Sequence, residues 1–315
     1  MRFVLGLPTD QAERPEEFLT ADAVAEVAQA AEAAGFDAVG VTDHPFPQDK
    51  WLSRGGHQAL DPLIALSFAA ARTRDIALLT NILVLPYRNP FLTARSVASL
   101  DVLSGGRVIL GAAVGYLRSE FAALGLDYED RAARTDHALE LMKRAWSGES
   151  VTLTEPPFEV AAHTMRPTPV QRPHPPIWFG GNSRRAMRRV VEHGQGWMPF
   201  PQPAAAVRLT RTPPLETLED LATRTALLRD MAAHAGRVEA PQVCFVPFGM
   251  RMQESPGADE FAALGEQLGD YAAAGVDWLS VPFSAPTRDG LLDLVETFAK
   301  LVVEPARRPC ADPAP

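Results

Sequence analysis

Four stretches of this chain carry residue types able to do chemistry. Val41-Thr42-Asp43-His44-Pro45 sets a carboxyl and an imidazole side by side at the end of an apolar run. An imidazole changes charge near neutral pH, so His44 can act as general acid or base with Asp43 orienting it. The same pair equally suits an Asp that caps a loop with the His as its partner. Thr80-Asn81-Ile82, with Leu83 to Pro90 after it, reads alone as a strand and a turn, and Asn89-Pro90 opens a helix. Gly111-Ala112-Ala113-Val114-Gly115-Tyr116 lacks the spacing of a dinucleotide fingerprint. Its small residues still allow a flat ligand to approach the backbone, or else tight packing. In Phe179-Gly180-Gly181-Asn182-Ser183-Arg184-Arg185 a strand runs through two glycines into a helix capped by Asn or Ser. Free amides and the helix dipole there make an anion cradle, with Arg184 or Arg185 as added charge. The alternative is a plain helix cap.

Other signatures are missing: there is no P-loop, no G-x-S-x-G, no H-E-x-x-H and no cluster of His and Cys. The remaining histidines are scattered. Glu129 to Arg134 and Arg184 to Arg189 read as solvated helix faces.

The elements that must position these stretches alternate between apolar runs and amphipathic helical segments. Strands are expected at 3–7, 38–42, 76–85, 108–113, 177–179, 197–200, 243–248 and 276–283. Helices are expected at 21–34, 61–72, 91–103, within 118–146, and at 184–193, 215–235, 258–274 and 291–303. Such alternation implies a parallel sheet, and eight units favour one closed (β/α)8 TIM barrel over an open sheet. The strands are apolar on both faces, as buried parallel strands are. The site then lies at the strands' C-terminal ends, where all four stretches fall. Between 148 and 176, Pro156, Pro157, Pro167, Pro169, Pro173, Pro175 and Pro176 break the pattern. This marks an insertion after the fourth βα unit, with room for a hairpin. The barrel is expected over 1–304, and 305–315 as a frayed Pro-rich tail.

Composition narrows the function classes. The chain has 315 residues, 46% of them hydrophobic and 22% charged, which excludes disorder and collagen-like repeats. Thirty Lys and Arg against 39 Asp and Glu give a net charge of −9, a poor match for nucleic acid. The apolar runs fall short of the ~20 residues that cross a membrane. Two distant cysteines, Cys244 and Cys310, form neither a disulfide framework nor a zinc spacing, and read as one buried thiol and one tail thiol. The apolar stretch after Arg2 is too short for a signal peptide, so a cytoplasmic protein is expected.

Taken together, Thr42 to Pro45, the run from Asn81 through Pro90 and on to Leu100-Asp101-Val102-Leu103-Ser104-Gly105-Gly106-Arg107, and Ile177 to Gly181 with Gly194-Gln195-Gly196-Trp197 resemble the bacterial luciferase-like monooxygenase family. Within it the resemblance is closest to the actinobacterial branch of coenzyme F420-dependent oxidoreductases, and it covers most of the chain. It implies a (β/α)8 barrel with an insertion after the fourth unit. It also implies a non-prolyl cis peptide at Asn81–Ile82 behind the ring of a deazaflavin. Val114, Gly115 and Tyr116 would lie beside ring and ribityl chain, with the cofactor phosphate on Gly180, Gly181, Asn182 and Ser183. His44 would face the substrate side. One departure is Tyr116, which stands where the sugar-phosphate dehydrogenase branch has a catalytic Glu, and this argues against sugar-phosphate oxidation.

The expectation is therefore an oxidoreductase that binds coenzyme F420 without covalent attachment and exchanges hydride with a small organic substrate: an alkene, imine, ketone or alcohol. His44, oriented by Asp43, would move the accompanying proton. One alternative is an FMNH2-dependent monooxygenase, with FMN as the cofactor. A second is a non-catalytic flavin-binding protein. No metal, nucleic-acid or membrane partner is expected, and the family implies a homodimer.

Overall fold

In the computed structural model, which describes residues 1–154, 156–250 and 255–308, eight parallel strands close on themselves. They are β1 (Arg2–Gly6), β2 (Ala38–Val41), β3 (Ala77–Thr80), β4 (Val108–Ala113), β5 (Ile177–Gly180), β6 (Gly196–Met198), β7 (Gln242–Phe245) and β8 (Trp278–Pro282). Each pairs with its neighbour in the chain; β1 pairs with β8 and β3 with β4, so no edge is left. This is a TIM barrel, as the alternation predicts.

Alternation along each strand makes two cores. Val4, Ala38, Leu79, Ile109, Trp178, Met198, Cys244 and Trp278, one from each strand, fill the barrel interior. Trp178 and Trp278 meet there edge to face at 5.2 Å. Their neighbours point outward; Phe3, Leu5, Val39, Leu78 and Leu110 pack under the helices. The closest approach is between β3 and β4, where a Cβ on Gly111 would lie 2.0 Å from the Thr80 carbonyl oxygen. Only glycine fits, and the Thr80 hydroxyl donates to the Gly111 carbonyl at 2.7 Å.

The helices start where short polar side chains can cap them. Thr20 caps α1 (Ala21–Ala33), Asp61 caps α2 (Pro62–Arg72) and Asn89 caps α3 (Pro90–Ser104). Gly105, at φ +71°, ends α3 in the left-handed conformation. After β4 come α4 (Arg118–Ala123) and α5 (Arg131–Trp146), and after β5 comes α6 (Arg184–His193).

Two expectations, the continuous third strand and the frayed tail, need correction, whereas the expected insertion does hold a hairpin. The third strand is not continuous over 76–85: β3 ends at Thr80, and a short segment, Leu83–Val84, resumes the pairing beside Ala112 and Ala113. The interruption falls at Asn81–Ile82, whose peptide bond is cis. The proline-rich stretch contains an antiparallel hairpin, Val151–Leu153 with Val160–His163. Its Pro156–Pro157, Arg166–Pro167 and Arg172–Pro173 bonds are also cis. The expected tail begins as helix, Glu304–Arg307, because Arg307 is tied to Asp37 and to the Gly35 carbonyl, each at 2.8 Å. Cys310 and the rest of the tail lie outside the described residues. Cys244 is buried and free, and burial pushes its thiol pKa well up. No described helix is long and apolar enough to cross a membrane.

Candidate active site

The C-terminal ends of the strands open into a cavity of about 400 Å³. His44, Asn81, Ile82, Val114, Gly115, Tyr116, Gly180, Gly181 and Ser183 all line it. The structure therefore brings together residues up to 139 positions apart in the chain.

At one end stands His44, just past β2. Its Nδ1 lies 3.3 Å from Oε2 of Glu120 in α4. Glu120 is 1% exposed, and it also accepts from the Phe46 backbone N–H at 3.3 Å and the Tyr87 hydroxyl at 3.0 Å. With Nδ1 donating to this carboxylate, Nε2 is the ring nitrogen left for the cavity. Trp51 and His57 pack on the ring, with centroids 4.6 and 4.8 Å away. Burial, helped by the neighbouring His44, pushes the His57 pKa down to about 4, so His57 is neutral at physiological pH. Tyr116 lies edge-on to His44 at 6.2 Å, and burial holds its hydroxyl pKa up at about 12.

This corrects the expected role of Asp43. Its carboxylate does not turn to His44. It accepts from the Val84 backbone N–H and from Arg88, both at 2.9 Å, and Arg88 reaches on to Asp61 at 2.9 Å. Burial pushes the Asp43 pKa up, and the Arg88 guanidinium opposes the shift. Asp43 thus ties the resumed Leu83–Val84 segment and the α2 cap to β2. Glu120, 76 positions from His44, carries no motif that marks it in the sequence. The available signal was a carboxylate in the first turn of a helix just beyond the fourth strand.

The middle of the cavity is flat and apolar. The Ile82 side chain lies over Gly180, where an added Cβ would meet its Cδ1 at 2.2 Å. Gly115, at φ +75°, passes under Val84 and Phe121. Asn81 Nδ2 donates to the Ser280 hydroxyl across the barrel at 3.1 Å.

The far end is the turn into α6. Gly181 adopts φ +108°, which favours glycine, and a Cβ there would touch Ala186 at 3.7 Å and the Thr212 hydroxyl at 3.9 Å. Ser183 caps α6 by accepting from Ala186 N–H at 3.1 Å, and its own hydroxyl hydrogen stays available. Asn182 does not face the cavity. It is fully buried, its side chain is bonded to Phe200 and Pro213, and its N–H donates to Thr212. It shapes the cradle and has no donor left for a ligand. Nor are the two charge-rich runs simply solvated, because Arg131 and Arg189 line the cavity, as does Arg211. Arg189 is held by Asp136 at 2.5 Å. Arg118, Arg131 and Arg211 lie against the Tyr128 ring, at 4.1, 3.7 and 5.6 Å. This end can hold an anion; among the described residues no His, Cys, Asp and Glu cluster could hold a metal ion.

Known proteins resemble this chain in sequence and fold. The family model for luciferase-like monooxygenases matches residues 1–249. An FMNH2-dependent dimethylsulfone monooxygenase of Pseudomonas putida is 28% identical over 54% of this chain and 46% of its own. An F420-dependent hydroxymycolic acid dehydrogenase of Mycobacterium tuberculosis is 33% identical over 58% of this chain and 50% of its own. The matched segments thus span about half the length of these relatives. The monooxygenase RslO1 from Streptomyces bottropensis superposes over 97% of this chain and 100% of its own, with a TM-score of 0.74 and 22% identity.

Proposed function

The chain belongs to the luciferase-like monooxygenase family, and from that premise we propose that it is an oxidoreductase binding coenzyme F420, noncovalently, at the mouth of its barrel. One observation carries this reading: a single cavity joins a carboxylate-held imidazole to a cationic anion cradle across a flat apolar middle. A flavin or deazaflavin is supported by both relatives' names, one using FMNH2 and the other F420.

The residues fit such a group. Ile82, Val114, Gly115 and Tyr116 would flank the ring, and the backbone of Gly180 and Gly181, which lines the cavity, would meet the chain below it. Ser183, Thr212 and the first amides of α6 would receive the phosphate. Arg131 and Arg211 extend positive charge past that cradle, whereas Arg118 is paired with Glu129. This favours coenzyme F420, whose phosphodiester carries an acidic oligoglutamyl tail, over FMN, which ends at its phosphate. Bound there, the deazaflavin would supply hydride exchange at C5. The chain's own part is acid–base work and positioning. His44 holds or delivers a proton at Nε2, Glu120 fixes the ring through Nδ1, and Trp51 and His57 shield it from water.

FMNH2-dependent oxygenation is the second reading, favoured by the dimethylsulfone monooxygenase relative. The proposed ligand pose is tested by comparing intact F420 with its headgroup lacking phosphate and tail. We expect intact cofactor to bind at least ~10-fold tighter, ~1.4 kcal/mol, with the advantage shrinking in the Arg131→Ala, Arg211→Ala double variant. Equal binding of the two forms would place the anion elsewhere.

We also propose a small-molecule substrate and a homodimer. The dimer would form through α2 and α3, which pack side by side and expose Ile64, Phe68, Leu92 and Leu103.

A further inference from the structure

A second chamber of about 260 Å³ adjoins the main cavity at Asn81, toward β1 and β8. It shares Thr42, Asn81, Phe200, Val246 and Ser280 with the main cavity. Gly6 and Gly40 keep its floor low, and Leu7, Pro282 and Phe283 make its wall apolar. Asp10, in the loop after β1, is the one titratable side chain among the described residues lining it. From β2, β6, β7 and β8 and the loops that follow them, the facing described residues are all uncharged: Gly40 and Thr42; Phe200 and Pro201; Val246 and Met250; Ser280, Pro282 and Phe283. Arg14, the next arginine along the chain, is engaged by the Ala285 carbonyl at 2.9 Å and by Gln11 at 3.0 Å. The Asp10 carboxyl is helped only by its own backbone and by Gln11, and burial pushes its pKa up to about 6. Nearby, the Thr42 hydroxyl is buried and has no partner among the described residues.

A carboxylate with little water and, among the described residues, no cation beside it is costly. A ligand that brings a positive nitrogen removes that cost, and its N–H groups give both Asp10 and Thr42 a donor. A ketone brings no donor, and an alcohol brings one without charge. We propose that this chamber receives a small organic cation, an amine or iminium, whose charged nitrogen meets Asp10 while its carbon skeleton lies on the apolar wall. The proposal narrows the substrate class of the site described above, and rests on that reading only in calling the ligand a substrate.

The test uses cofactor-free protein, so its outcome is independent of whether F420 or FMN binds. Cyclohexylamine, cyclohexanol and cyclohexanone are titrated calorimetrically at neutral pH. The amine should bind at least ~10-fold tighter than either neutral probe, ~1.4 kcal/mol. Asp10→Asn should abolish that preference, and Asp10→Glu should keep part of it. In wild type, amine binding should weaken as pH falls through about 6, while cyclohexanol binding stays level. The pH series decides the matter if the variants melt abnormally. Equal binding of amine and alcohol, a pH-independent amine, or an Asp10→Asn protein that keeps the preference would each overturn the proposal.

Discussion

At the residue scale the account turns on His44 and Glu120. The carboxylate holds Nδ1 at 3.3 Å, so the imidazole meets a ligand in one orientation. General acid–base catalysis contributes ~10²–10⁴-fold; His44→Ala should cut turnover by that range and leave cofactor affinity within about twofold. Glu120→Gln keeps the shape but weakens the hold on Nδ1. Stopped-flow and steady-state kinetics should show kcat reduced by roughly 10-fold or more with KM little changed. A change in KM alone would make Glu120 a structural residue only. His44 was legible in the sequence because a histidine at the end of a barrel strand has few other reasons to be there. Glu120 was not, because α4 is a short helix whose direction is set by the turn at Gly115, and nothing local ties it to β2. Asp43 misled for the converse reason: its neighbour in sequence is His44, but its partners are Val84 and Arg88.

At the element scale the barrel depends on how closely β3 and β4 approach. A Cβ at Gly111 would sit 2.0 Å from a backbone oxygen that cannot move without parting the strands. Gly111→Ala should therefore cost ~3 kcal/mol or more, the upper end for overpacking. Gly269 is a useful contrast, since a Cβ there meets nothing within 4 Å and the residue lies in the helix Ala258–Ala273. Gly269→Ala should be neutral or stabilise by up to ~1 kcal/mol. Urea unfolding of the pair is the check; similar midpoints would mean that the strand contact is not close in solution. The eight strands were legible because both faces are buried and the runs are continuously apolar. The break at Asn81–Ile82 was not legible from propensity, since Asn81 is flanked by strand formers on both sides; only the family resemblance marked it. The charge-rich runs around Arg131 and Arg189 read as solvated because periodicity reports a helix face and not the cavity it borders.

At the scale of the whole molecule, a net charge of −9 opposes an anionic cofactor, so local arginines must reverse the field at the mouth. The exposed pair Ile64 and Phe68, one turn apart on α2, is the other whole-molecule feature. Sedimentation velocity should give a dimer, and Ile64→Asp with Phe68→Asp should give a folded monomer; a monomeric wild type would remove the dimer proposal. Cofactor identity decides the function of this barrel mouth, and a paired titration of cofactor-free protein with F420 and FMN, in the same salt, measures it. F420 should bind at micromolar or tighter affinity, with FMN weaker by at least ~10-fold, ~1.4 kcal/mol. The reverse preference would contradict it and assign the barrel mouth to FMN, with oxygen consumption as the activity to measure.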